Sequence, residues 1–225
     1  MIRTAIFDMD GLLIDSEPFW KEAEYVTFSS LGVVMDGSLT KVTQGMTTTE
    51  VTEFWYERNP WRFPSKKEVE QQVINNVISR IMSNGQALPG VIETLSFFKA
   101  NGFKIGLATN APRNVIPAVM EKLDIGHFFD VIVSSEEVPH GKPSPMVYQR
   151  VLSKLDSKAH ESIAFEDSEI GAKAALLAGI KTVLVNKHEV VSDPWLEHLV
   201  IKIESLENYL DNNITAFNDK RTVNS

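Results

Sequence analysis

Seven polar residues are of the types that perform phosphoryl chemistry: Asp8 and Asp10, Thr109 and Asn110, Lys142, and Glu166 and Asp167. Each group lies at or beyond the end of a short apolar run, so the set is expected to converge on one edge of a sheet. Four carboxylates drawn together repel one another unless a hard cation sits among them, and ligation by oxygen alone suits Mg²⁺. A metal that neutralises the carboxylates leaves Lys142 free to pair with an anion rather than with Asp8, and phosphate is the natural candidate. Thr109, Asn110 and the backbone amides of the loop from Met9 to Leu12 could donate to its oxygens. An ionised Asp8 beside a phosphoryl group is a nucleophile that forms an aspartyl phosphate. Asp10, two residues on, could protonate the leaving alkoxide and then deprotonate the hydrolytic water.

The elements that must position these groups follow from the hydrophobic pattern. Ala5-Ile6-Phe7 reads as a buried strand that stops at the turn-like Asp8-Met9-Asp10-Gly11. Segments 103–109, 131–134, 162–165 and 181–185 have the same character. They alternate with helical patterns at 91–100, 115–123, 146–155 and 170–178, which predicts an α/β protein with a doubly wound parallel sheet. About ninety residues after the first strand break the alternation and read as helical, with candidates at 19–31 and 49–58. Ser65-Lys66-Lys67-Glu68 is a capping-box pattern opening an amphipathic stretch with Val69, Val73, Val77, Ile78 and Ile81 on one stripe, ending near Asn84-Gly85. The block is expected to form a small helical cap domain, residues 16–87, over the sheet's carboxyl edge. Residues 1–15 and 88–211 then make the core domain, and 212–225 a polar tail. The competing reading is a helical extension of one core.

Composition narrows the function. With 22 basic against 30 acidic residues the formal charge is −8, which argues against a nucleic-acid partner. No cysteine is present, so thiolate zinc sites and cysteine nucleophiles are excluded. The N-terminus carries no apolar region long enough for a signal peptide, and no stretch approaches the ~18 apolar residues of a membrane span. A cytoplasmic protein without a membrane partner is the expectation, with a monomer as the default state.

The motifs also carry a resemblance. Phe7-Asp8-Met9-Asp10-Gly11-Leu12-Leu13 resembles the first motif of the haloacid dehalogenase (HAD) superfamily, and Leu107-Ala108-Thr109-Asn110 its second. Gly141-Lys142-Pro143-Ser144-Pro145 resembles the third, and Phe165-Glu166-Asp167-Ser168 with Gly171 the fourth. All four occur in the superfamily's order over residues 2–185. A helical cap between the first two motifs is similar to the subfamily of small sugar-phosphate phosphatases and β-phosphoglucomutase, and the run from Asp8 to Trp20 to bacterial 2-deoxyglucose-6-phosphate and hexitol-phosphate phosphatases. The resemblance implies a HAD-like, Rossmannoid core. It makes Asp8 the nucleophile and Asp10 the general acid/base. Asp8, the Asp10 carbonyl and Asp167 become the Mg²⁺ ligands, with Glu166 in support, and Thr109, Asn110 and Lys142 hold the phosphoryl group.

The departures bear on the reaction. β-Phosphoglucomutase carries a cap histidine where this chain has Trp20, and a cap arginine after the glycine that is here Gly45, followed by Met46 and Thr47. Dehalogenases replace the second aspartate, which Asp10 retains. The expected activity is Mg²⁺-dependent hydrolysis of small sugar or polyol phosphate monoesters. The alternatives are a phosphomutase, a phosphate-responsive binding protein that stores its aspartyl phosphate, and a catalytically silent member. Taken singly, Asp8 to Gly11 reads as a solvated turn, and Thr109-Asn110 and Glu166-Asp167-Ser168 as helix caps. The five histidines show no metal spacing and read as structural or exposed. Trp55, Tyr56 and Trp61 read as cap packing, whereas Glu17 and Trp20, directly after the catalytic loop, are the candidates for substrate specificity.

Overall fold

The computed structural model describes residues 1–35, 42, 43, 46–186 and 201–210. The apolar runs form β1 (Thr4–Phe7), β2 (Lys104–Thr109), β3 (Val131–Ser134), β4 (Ser162–Glu166) and β5 (Lys181–Val185). A sixth strand, β6 (Ile201–Ile203), was not expected from the sequence. All pairings are parallel, in the order β3-β2-β1-β4-β5-β6. Between β1 and β2 run α1 (Glu17–Ser30), α2 (Thr48–Arg58) and α3 (Lys66–Asn84), followed by α4 (Val91–Ala100). The later crossovers carry α5 (Ile116–Leu123), α6 (Met146–Lys154) and α7 (Glu169–Leu177).

Strands buried on both faces are apolar throughout, and their alternation divides the core in two. Ala5 and Phe7 point into one cluster, shared with α4 and the helical insert; Ile6 points into the other, with Val147, Val151, Ala164 and Ala174. The rings of Phe7 and Phe165 stack at 4.8 Å, and Phe98 meets both edge-on at 5.9 and 5.6 Å. That packing fixes the ends of β1 and β4 side by side, one residue before Asp8 and Glu166. These neighbouring strands lie where the strand order reverses, the crevice at which open α/β sheets collect ligands.

The insert's apolar residues join the sheet's larger cluster. Val69, Val73, Ile74, Val77 and Ile81 of α3 are buried, with Ile74 in the stripe position that the pattern gave to Ile78. The Ser65–Glu68 capping box forms as expected, and Thr47 and Glu50 form a second at the start of α2. Trp55 and Trp61 pack around Phe28, at 6.3 and 6.1 Å, as insert core. The two chain segments joining insert and sheet run side by side: Ile14 bridges Ala87 antiparallel, and the Leu88 N–H donates to the Leu13 carbonyl at 3.1 Å. After β6, residues 206–210 are helical, and Tyr209 packs edge-on against Phe165 at 4.8 Å. Among the described residues no helix is long and apolar enough to cross a membrane. Gly45, His188, His198 and the polar segment 212–225 lie outside the described residues.

Candidate active site

The loop after β1 doubles back within a few residues: the Gly11 N–H donates to the Ile14 carbonyl at 2.8 Å and the Leu13 N–H to the Met9 carbonyl at 2.9 Å. Gly11 has φ +76, and a Cβ there would collide with the Asp167 carboxylate. Only glycine therefore lets this turn close against Asp167. The Gly11 amide is spent inside the turn, so it is not among the donors that the sequence offered to a phosphate. Met9 itself is fully buried, which confines it to main-chain contacts.

Asp8, Glu166 and Asp167 come together, with one ligand oxygen from each within 4.8 Å of the others. Lys142, supplied by the loop after β3, is buried against them. Its Nζ donates to Asp8 Oδ1 at 2.6 Å and to Glu166 Oε1 at 2.6 Å. A buried ammonium must be paired, and the carboxylates are its partners. Tyr148 on α6, within the helical pattern at 146–155, donates its Oη to Glu166 Oε1 at 2.5 Å. The other oxygen, Glu166 Oε2, is buried without a hydrogen-bond partner, and Gly171 leaves it room where a Cβ would collide.

The charges push the titrations in consistent directions. Burial raises Glu166 to about 7, helped by the Asp8 charge and opposed by Lys142 and Tyr148. Burial and then the charges of Asp8 and Glu166 hold Asp167 well above the usual carboxylate range. Burial alone would lower Lys142, but Asp8 and Glu166 overrule it and keep the ammonium above its ordinary value. Carboxylates crowded in this excess, one bearing an orphaned buried oxygen, form an oxygen-only donor set suited to a hard divalent cation.

Asp10 lies apart from Lys142's direct partners. One carboxylate oxygen accepts a short hydrogen bond from Ser16 Oγ and a second from Trp20 Nε1 at 3.2 Å. Burial and the Asp8 charge raise its pKa against these two bonds. Ser16 joins the loop after β1 to the insert. It is the residue before α1, where a serine normally caps, but Pro18 removes one target N–H and the side chain makes no cap bond. Trp20, read from sequence as a specificity residue, donates its indole N–H to Asp10. Glu17 pairs with Lys21 at 2.7 Å on an exposed face.

The second motif is tied to the loop that carries Lys142. Asn110 spends both ends of its amide on the Lys142 backbone, donating to the carbonyl at 3.1 Å and accepting from the N–H at 2.8 Å. Its side chain fixes the lysine loop at the cleft that both residues line. Thr109 is buried, and its Oγ1 accepts from the Ala111 N–H at 3.0 Å, leaving the hydroxyl proton to donate. Outward from Asn110 and Lys142 runs a cleft of about 510 Å³ between the start of α2, Glu70 and Ile74 of α3, and the loop from Ser135 to Ser144. His140 lines it; His127 and His160 are exposed.

Fold and site together define a Rossmann-like α/β protein with a helical insert and an acidic centre at the carboxyl edge of its sheet. Residues 5–185 match the family model described as haloacid dehalogenase-like hydrolase, and the chain belongs to that family. It is 37% identical over 206 residues to hexitol phosphatase B of Escherichia coli (strain K12), covering 91% of this chain and 93% of that protein. It is 32% identical over 185 residues to the phosphorylated carbohydrates phosphatase of Thermotoga maritima, covering 81% and 84%. Among solved structures, the β-phosphoglucomutase of Clostridium difficile superposes with a TM-score of 0.79 over 99% of this chain and 100% of that one, at 23% identity, a likeness of fold.

Proposed function

We propose that the chain is a Mg²⁺-dependent phosphatase that hydrolyses small sugar or polyol phosphate monoesters. The observation that carries this reading is the cluster of Asp8, Glu166 and Asp167, ligand atoms within 4.8 Å, bound to the buried Lys142. The named activities of the relatives from Escherichia coli and Thermotoga maritima support the substrate class. Asp8, the Asp10 carbonyl and Asp167 would hold the cation, with Glu166 in support. Bound there, Mg²⁺ would offset the carboxylate charge and draw electron density from the phosphoryl oxygens.

An Asp8 carboxylate oxygen attacks phosphorus, and the bond to the substrate alkoxide breaks. Asp10 gives that alkoxide its proton, a role suited to a carboxyl whose pKa is raised. Lys142 and the Thr109 hydroxyl hold the phosphoryl oxygens as charge builds on them. Asp10 then takes a proton from water, whose oxygen attacks the aspartyl phosphate, releasing phosphate and restoring Asp8. Residues 16–87 act as the cap that excludes water from the first step, hinged at 14–16 and 88–90.

The test is phosphate release from a panel of sugar and polyol phosphates with Mg²⁺ or with chelator, native chain against Asp8→Asn. Metal-dependent release abolished in the variant is the expected result. Release that survives Asp8→Asn removes the nucleophile assignment, and release only with a bisphosphate activator favours a mutase.

A further inference from the structure

The cleft beside Lys142 is lined by carboxylates that the hydrolytic steps do not use. Its lining brings Lys142 together with Glu50 and Glu70 from the insert and Glu136 from the sheet side. None of the three carboxylates is in an ion pair among the described residues. The first turn of α2 also faces this cleft, and an uncapped helix start would welcome an anion. Here it is taken by the chain's own carboxylate. Glu50 Oε2 accepts from the Thr47 N–H at 2.7 Å and the Thr47 hydroxyl at 2.8 Å, while Glu50 N–H donates back to Thr47 Oγ1 at 3.3 Å. Glu70 Oε2 accepts from Thr49 Oγ1 at 3.3 Å, which sets a second carboxylate against the same turn.

We infer that Glu70 is a specificity-determining residue that restricts the substrate to one phosphate on a body free of any second anionic group. This rests on the phosphatase reading and extends it from a site to a substrate class. A phosphomonoester entering head first meets Lys142 with its phosphate and places its far end among Glu50, Glu70, Glu136 and the threonines of α2. Hydroxyl groups there donate to the carboxylates and exchange bonds with Thr47 and Thr49; an ammonium is attracted. A carboxylate or a second phosphate meets the like charge of three carboxylates gathered on one cleft, a repulsion that salt screens.

The experiment compares three ligands of one carbon skeleton, glucose 6-phosphate, 6-phosphogluconate and glucosamine 6-phosphate, with p-nitrophenyl phosphate as an indifferent substrate, at low and high salt. The native chain should favour glucose 6-phosphate over 6-phosphogluconate at least tenfold in kcat/KM, and glucosamine 6-phosphate should be taken at least as well as glucose 6-phosphate. Salt should narrow the gap. Glu70→Lys should raise the ratio for 6-phosphogluconate over glucose 6-phosphate at least tenfold, and Glu70→Gln should move it the same way by less. Equal turnover of glucose 6-phosphate and 6-phosphogluconate by the native chain, or a ratio unmoved by both variants, overturns the inference while leaving the phosphatase intact. No release from any ligand, p-nitrophenyl phosphate included, overturns the phosphatase reading and this inference with it.

Discussion

The acid/base of the proposed reaction is held by two side chains from the beginning of the insert. Ser16 and Trp20 both donate to the same oxygen of Asp10. Trp20→Phe keeps the ring and deletes one donor, so it should lower kcat on every substrate by a similar factor, on the order of tenfold, for a lost positioning bond. A re-ordered substrate ranking in steady-state assays would return Trp20 to the specificity set. Tyr148 serves Glu166 in the same way. Tyr148→Phe removes a buried hydrogen bond to a charged group and should cost about 1.5–3 kcal/mol in denaturant unfolding. What the sequence displayed at this scale was residue type and order: Asp8, Lys142 and Asp167 were legible from motifs alone. Ser16 and Tyr148 were not, because a serine before a helix and a tyrosine on an apolar stripe have ordinary structural uses. Only the tertiary fold brings Tyr148 to Glu166 and turns Asn110 toward the Lys142 backbone.

Among the elements, the strands that end at the site were readable to within a residue or two, since doubly buried strands are continuous apolar runs bounded by turns. β6 escaped because it has three residues and one is a lysine. Helix ends followed capping chemistry. Ser65→Ala removes the reciprocal bonds with Glu68 and should cost about 1 kcal/mol by thermal unfolding, with no effect on turnover. On α1, burial raises Glu24 to about 7, against an ordinary value of 4.5. A carboxyl raised in the folded state binds its proton more tightly there than when unfolded, so it costs nothing below pH 4.5. The cost grows as pH rises from 4.5 to 7 and is complete above that. Glu24→Gln should therefore stabilise the protein by about 1–2 kcal/mol at pH 8, discounting the shift for partial exposure, and leave it unchanged at pH 4. Melting curves at the two pH values check this; equal gains at both would remove burial of the charge as the cause.

Across the whole molecule, the acidic centre ties stability to ligand. A cation that binds only the folded chain raises its stability by about 2.7 kcal/mol at a hundred times its dissociation constant. Melting with Mg²⁺ against chelator should show an upward shift of several degrees in the native chain, and Asp167→Asn should lose most of it. An unchanged melting point in the native chain would argue against Asp8, Glu166 and Asp167 as ligands.

The paired connecting segments have one more consequence, for anyone exchanging inserts between relatives to alter what is hydrolysed. The natural seam is the bridge of Ile14 to Ala87. Cutting there discards Ser16 and Trp20, and with them the hold on Asp10. A chimera joined after Trp20 keeps the recipient's proton-transfer apparatus whole and imports only the walls of the cleft. One joined at residue 15 grafts a foreign grip onto a native acid, and the two chimeras should differ in turnover number even where their preferences agree.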